Sequence, residues 1–299
     1  MEYIIAGYKV STSGPHSDLA QIGLKGFRPF EVEAEAEPTM EPAMELHFGC
    51  TIATDSEAEA KHIYHFDFEE DYGECDLLRT ATGHRFVMQR RNGPTYRLDK
   101  AVGSSIVQTD FGTDGTPDIT LLRFGLWVMF GIAIAPQGGI AIHSSVIVKD
   151  EGAVLCLGES GTGKSTHTRL WREHIEGARL LNDDSPIIRM VDGVATVFGS
   201  PWSGKTPCYI NRHYPIRGFI RLSQAPHNKM RRLGVLNAIG ALLPSCPPAF
   251  AHDAQLEDAI CDTLSQMIGS AAVYHLECLP DAAAANLSYS TIYGEKRAK

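Results

Sequence analysis

Ala153-Val154-Leu155-Cys156-Leu157-Gly158-Glu159-Ser160-Gly161-Thr162-Gly163-Lys164-Ser165 is a short apolar run that empties into a glycine-rich loop. The run reads as a strand buried on both faces. The loop fits G-x-x-x-x-G-K-[ST], the phosphate-binding P-loop pattern. Glycines admit positive φ, so that several backbone N–H groups can converge on one anion. A helix expected from about Thr166 to His174 would aim its positive N-terminal end at the phosphates. Lys164 would then reach the β- and γ-phosphates, and the Ser165 hydroxyl would ligate Mg²⁺. The expected nucleotide-binding residues are Gly158, Ser160, Gly161, Thr162, Gly163, Lys164, Ser165 and Thr166, with ATP and Mg²⁺ (or Mn²⁺) as the cofactors.

Outward from the loop, Arg179-Leu180-Leu181-Asn182-Asp183-Asp184 reads as an apolar strand ending in two adjacent carboxylates. At the end of a strand neighbouring the loop strand they suit a metal site facing the phosphates. Strand alternation would place Asp183 and Asp184 on opposite sides and divide their labour between metal binding and proton acceptance. On the other side, Ile140 to Val148 reads as a strand, followed by a hairpin turn at Lys149-Asp150-Glu151-Gly152. Before it, residues 119–134 read as an apolar helix, and Gly112-Thr113-Asp114-Gly115-Thr116-Pro117 as a turn cluster that marks a boundary.

Residues 1–118 alternate and are rich in β-formers, which predicts a β-rich accessory domain; residues 119–299 form the expected P-loop ATP-binding domain. The segment from Glu31 to Met44, with its glutamates and two prolines, reads as a solvated acidic connection. The 299 residues carry a net charge of −9. Residues 1–120 hold 21 acids and 10 bases, and the remainder 15 acids and 17 bases. The acidity therefore belongs to the first part, where it leaves room for a protein partner. The overall balance argues against non-specific nucleic-acid binding, and says nothing against a nucleotide. No secretory signal is visible, and the longest apolar stretch, Phe124 to Ala135, is short of the roughly 18–20 residues that cross a bilayer. The seven cysteines include no C-x-x-C pair. Reduced thiols in a cytoplasm are expected, with no membrane partner.

The loop, the acid pair and the upstream Ile142-His143-Ser144-Ser145 resemble the HPr kinase/phosphorylase catalytic domain and the ATP-dependent phosphoenolpyruvate carboxykinases, which share its fold. The chain is also similar to bacterial proteins labelled HPr-kinase-like. It carries their three runs, Ser165 to Trp171, Leu180 to Asp184 and Gly199 to Tyr209. The resemblance covers residues 119–299. It implies an α/β fold: a carboxykinase/HPr kinase-like P-loop catalytic domain beside the N-terminal β-rich (α+β) domain. It implies that Asp183 is the base toward the acceptor, that Asp184 is the metal-associated acid, and that His143 lies near the metal. From the residues alone, His143 also fits a hydrogen-bonded core histidine. An oligomer is a further implication. Pro215 stands where HPr kinase has a glutamate in its Leu-Glu-Ile-Arg-Gly-Leu-Gly signature.

Phe198-Gly199-Ser200-Pro201-Trp202-Ser203-Gly204-Lys205 follows a hairpin turn at Asp192-Gly193 and reads as a shaped loop. Lys205 and Arg212 are candidates to neutralise a transferring phosphate, against a surface role for each. Trp202 fits either stacking on a ring or core packing. Lys229-Met230-Arg231-Arg232 reads as the solvated start of a helix over 233–243. The expected function is an ATP- and Mg²⁺-dependent kinase acting on a hydroxyl of a small molecule or a protein serine. A phosphoenolpyruvate carboxykinase-type lyase is the second reading, and a non-catalytic nucleotide-dependent sensor or scaffold the third.

Overall fold

The computed structural model describes residues 1–33, 40–54, 57, 59–68, 73–113, 115, 117–204 and 206–294. It is mixed α/β with two large sheets. The chain divides into two compact units, Met1–Gln137 with Ala249–Glu257, and Gly138–Pro248 with Asp258–Lys299.

The first unit contains β1 (Glu2–Ile5), β2 (Tyr8–Ser13), β3 (Glu31–Val32), β4 (Met44–His47), β5 (Lys61–Phe68), β6 (Gly73–Arg79), β7 (Gly83–Arg90), β8 (Thr95–Ala101), β9 (Ile106–Thr109) and helix α1 (Ile119–Ile134). Its described strands order as β3-β1-β2-β4-β9-β8-β7-β6-β5. The alternating burial of β6 and β8 shows one face packed and the other wet. Asp118 caps α1 by accepting from the Thr120 and Leu121 amides. Gly125 lets the helix lie against Leu98 and Met88, the nearest atoms to its missing Cβ. That packing carries residues 119–137 with the first unit, so the division falls after Gln137 and not at 118. By length and composition Ile119–Gln137 could cross a membrane, but 67% of its apolar window is buried inside the protein. Of the acidic connection from 31 to 44, residues 34–39 lie outside the described residues, as do Asp114 and Thr116 of the turn cluster.

The second unit runs β10 (Ile140–Ala141), β11 (Ser144–Lys149), β12 (Gly152–Leu157), α2 (Lys164–His174), β13 (Arg179–Asp184), β14 (Ile187–Val191), β15 (Val194–Phe198), β16 (His213–Gln224), β17 (Lys229–Arg232), α3 (Val235–Leu242), α4 (Ala254–Ser270, which begins in the first unit), β18 (Ala272–Cys278) and α5 (Ala282–Gly294). The described strands order as β10-β14-β15-β16-β12-β11-β13, with β18 on β16 and β17 on β18. β12 is buried at all six positions and pairs parallel to β16. The β11–β12 hairpin turns through Asp150 and Glu151, both at positive φ. Ile147, Val154, Trp171, Ile220, Leu276 and Ala285 meet in one core, in which α2 and α5 pack against the strands.

Two local expectations change. The run 140–148 is two strands, broken at Ile142-His143. The basic cluster 229–232 is not the start of a helix but the edge strand β17, paired only with β18 among the described strands. Three of its four residues are exposed, and lysine and arginine on an edge discourage further strand pairing.

Candidate functional site

The glycine-rich loop leaves the end of β12 and enters α2 directly. Gly163 caps the helix at φ 103, a conformation that residues with a Cβ rarely adopt. The first bond of the helix runs from the His167 amide to the Gly163 carbonyl. The amides before it have no carbonyl one turn earlier, and they form the positive end of the helix.

β13 does not neighbour β12, as the sequence had suggested. β11 lies between them and runs antiparallel to both. Its first residue, Ser144, stands opposite Leu157 on one side and Asp184 on the other. This register brings the beginning of β11 level with the ends of β12 and β13. Loop, histidine and acid pair therefore converge through three strands, although they are distant in sequence.

They line one cavity of about 370 Å³. Ser160, Gly161, Gly163, Lys164, Ser165 and Thr166 contribute one wall, and His143, Asp183 and Asp184 the other. Both acids line this cavity, and both lie within β13, opposite Ser145 and Ser144 of β11. The Ser165 hydroxyl donates to Asp183 Oδ1 at 2.9 Å. The acid in contact with the expected metal-binding hydroxyl is thus Asp183, while Asp184 accepts from the Ser185 hydroxyl. Lys164 Nζ folds back onto the carbonyls of Gly158 and Glu159, at 2.7 and 3.1 Å. Burial lowers the Lys164 ammonium's pKa, and Arg221 acts in the same direction, against the pull of Asp184 and Asp183.

His143 is exposed at the cavity, and its amide is held by the Ser245 carbonyl. The surrounding protein, and then Lys164, push its imidazole below the ordinary histidine value, although Asp184 and Asp183 oppose them. It is not a core histidine.

Gly158 and Thr162 belong to the loop but do not line this cavity; Thr162 lines the adjoining one. Arg212 is exposed and lies on neither cavity. Lys205 lies outside the described residues. Trp202 is 3% exposed, which assigns it to packing.

Several residues of the site escape a reading by motif. Asn182 is fully buried, and its side-chain oxygen accepts from the amides of Asp184 and Ser185, both at 3.1 Å. Its amide donates to the Trp202 carbonyl and to Ser200 Oγ, at 3.0 and 3.3 Å. The acid pair is thereby tied to the loop after Gly199. Gly204 approaches so closely that a Cβ there would stand 2.8 Å from the Asp183 carbonyl oxygen. Arg221 lies opposite Leu157 in the β12–β16 register, which sets its charge beside the loop. A polar Asn within an apolar strand, and a single Arg in the apolar run 218–222, were the available signals.

A second cavity of about 530 Å³ adjoins the first and shares Gly161, Gly163 and Thr166 with it. Leu170, Ala225, Cys278, Leu279 and Pro280 make it more apolar, and Gln224 donates to the Gly161 carbonyl at its edge.

No protein-family model and no curated protein matches the chain. Among solved structures, the HPr(Ser) kinase/phosphatase from Coxiella burnetii is similar at 13% identity and a TM-score of 0.29, over 51% of this chain and 93% of that one.

Proposed function

We propose that the second unit is an ATP-dependent phosphotransferase that delivers the γ-phosphoryl group to a hydroxyl acceptor, in the manner of HPr kinase. The observation that carries the reading is the meeting of Lys164, Ser165 and Asp183 in one cavity at the start of α2.

The charges support a cation-bound triphosphate. Lys164 and the helix end attract phosphate, whereas Asp183 and Asp184 repel it. A divalent ion resolves that conflict, and the oxygen donors of Ser165, Asp183 and Asp184 suit Mg²⁺ or Mn²⁺. When bound, the ion neutralises charge on the transferring phosphoryl group. Lys164 exchanges its two carbonyl partners for phosphate oxygens. With the Ser165 oxygen turned to the ion, its hydrogen bond to Asp183 would be released, and that carboxylate oxygen would be available to orient or deprotonate the acceptor. His143, kept neutral near pH 7 by its lowered pKa, offers a ring nitrogen to the metal or the acceptor. The more apolar cavity beyond the loop suits the nucleoside.

The place of His143 in the cavity also favours a carboxykinase-type lyase as a second reading, which an assay for phosphoenolpyruvate from oxaloacetate and ATP separates. A cytoplasmic setting fits the seven unbridged cysteines. The direct test is equilibrium binding of ATP with and without Mg²⁺. The reading requires Mg²⁺-dependent affinity that falls at least about tenfold in Lys164→Ala, a cost of roughly 1.4 kcal/mol. Metal-independent binding, or unchanged affinity in the variant, rejects it.

A further inference from the structure

The first unit contains a cluster that the phosphate-site reading does not use. His62 and His65 lie on β5 and Asp76 on β6, at the end of the sheet. Residues three apart on a regular strand face opposite ways. Here the β5–β6 register slips by one: His62 opposes Leu78, Tyr64 opposes Leu77 and His65 opposes Asp76. Without the slip His65 would oppose Cys75, which is buried on the other face. The bulge therefore turns both imidazoles to the side that carries Asp76.

The donor atoms converge. His62 Nε2 and His65 Nδ1 each stand 2.8 Å from Asp76 Oδ1, and the three atoms lie within 4.8 Å of one another. Ligands at about 2.0–2.1 Å around a tetrahedral ion sit roughly 3.3 Å apart. Each N···O separation must open by only about half an ångström, and side chains exposed to 54, 42 and 32% can move that far. Two imidazoles and one carboxylate are a borderline-soft set, which favours Zn²⁺ and its neighbours over Mg²⁺ or Ca²⁺. Three protein ligands leave a fourth position for water or an incoming donor.

We propose that His62, His65 and Asp76 form a divalent transition-metal site, with Zn²⁺ as its fitting ion. The site is separate from the phosphate cavity and does not depend on how that cavity is read. The edge-strand bulge is then the device that assembles the ligands, and bound metal would pin β5 to β6.

The test uses the full chain, stripped of metal and free of nucleotide. Zn²⁺ is titrated against a chromophoric chelator, and Co²⁺ serves as the spectroscopic probe. One equivalent of Zn²⁺ is expected, with Co²⁺ absorption typical of imidazole ligation. His62→Ala/His65→Ala should lose that equivalent, and Asp76→Asn should weaken it by at least about tenfold. Asp183→Ala should leave it unchanged. Circular dichroism checks that each variant is folded, and His62→Gln/His65→Gln replaces the alanine pair if that pair is not. Equal Zn²⁺ affinity in the wild type and the folded double variant overturns the proposal, as does loss of the equivalent in Asp183→Ala.

Discussion

Replacing Asn182 by alanine removes a buried side chain that ties the acid pair to the loop after Gly199. Its oxygen serves two amides, those of Asp184 and Ser185, and its amide serves Trp202 O and Ser200 Oγ. Of the two acceptors, Ser200 Oγ keeps the Trp202 amide, while the Trp202 carbonyl is left sharing the single Ser200 proton with the Ser185 carbonyl, at 3.0 and 2.6 Å. The two amides lose their acceptor. Ser185 is buried and Asp184 half-buried, so one donor bears the full cost and the other a part of it. At about 1–3 kcal/mol for each buried donor left unsatisfied, Asn182→Ala should cost about 2–4 kcal/mol. That is a large share of the roughly 5–15 kcal/mol available to an ordinary domain. Urea unfolding followed by circular dichroism measures it, through the midpoint at unchanged m-value. The folded fraction should also bind Mg·ATP more weakly, because the carboxylates lose their anchor. A loss below about 0.5 kcal/mol with unchanged Mg·ATP affinity would refute the positioning role.

Two further predictions concern the packing behind the site. Ser145 Oγ and Thr168 Oγ1 share a buried 2.8 Å bond between β11 and α2, and Thr168 Oγ1 also reaches the Ser165 carbonyl. Thr168→Val strands the Ser145 hydroxyl and should cost more, about 1–3 kcal/mol, than Ser145→Ala at about 0.5–1.5 kcal/mol; chemical denaturation compares them. His167 is buried beside Ser288 and Trp171, and burial lowers its pKa from 6.5 to about 4. The unfolded chain therefore binds this proton first. Its contribution is intact above pH 6.5, declines as the pH falls, and is lost by about pH 4. Thermal midpoints across that window should fall with pH, and His167→Gln should flatten the slope by an amount on the order of 3 kcal/mol. An equal slope in the variant would place the proton uptake elsewhere.

The parts of the site that a local pattern encodes were legible in the sequence. The glycine loop, the all-buried strand before it, the hairpins at Asp150-Glu151 and Asp192-Gly193, and the paired acids each follow from a few neighbouring residues. What depends on strand order was not. Nothing near Asp183 says that β11 separates it from the loop strand, and that interposed strand is what delivers His143. Arg221 reads as part of an ordinary apolar strand until the parallel register with β12 sets it beside Leu157. The 229–232 cluster carries helix-compatible charges, but pairing with β18 decides for a strand. The shared face of His62 and His65 depends on a slip in register, which period-two alternation conceals.

In the proposed reaction Lys164, Ser165 and Asp183 bind Mg·ATP and hand its terminal phosphoryl group to a hydroxyl. The most direct measurement is transfer of label from γ-labelled ATP to metabolite pools and lysate proteins, with Asp183→Asn run beside the wild type. A labelled acceptor is expected with the wild type, and loss of transfer in a folded variant that still binds nucleotide. A wild type that binds Mg·ATP but labels nothing, or an Asp183→Asn variant that transfers at the wild-type rate, would contradict it.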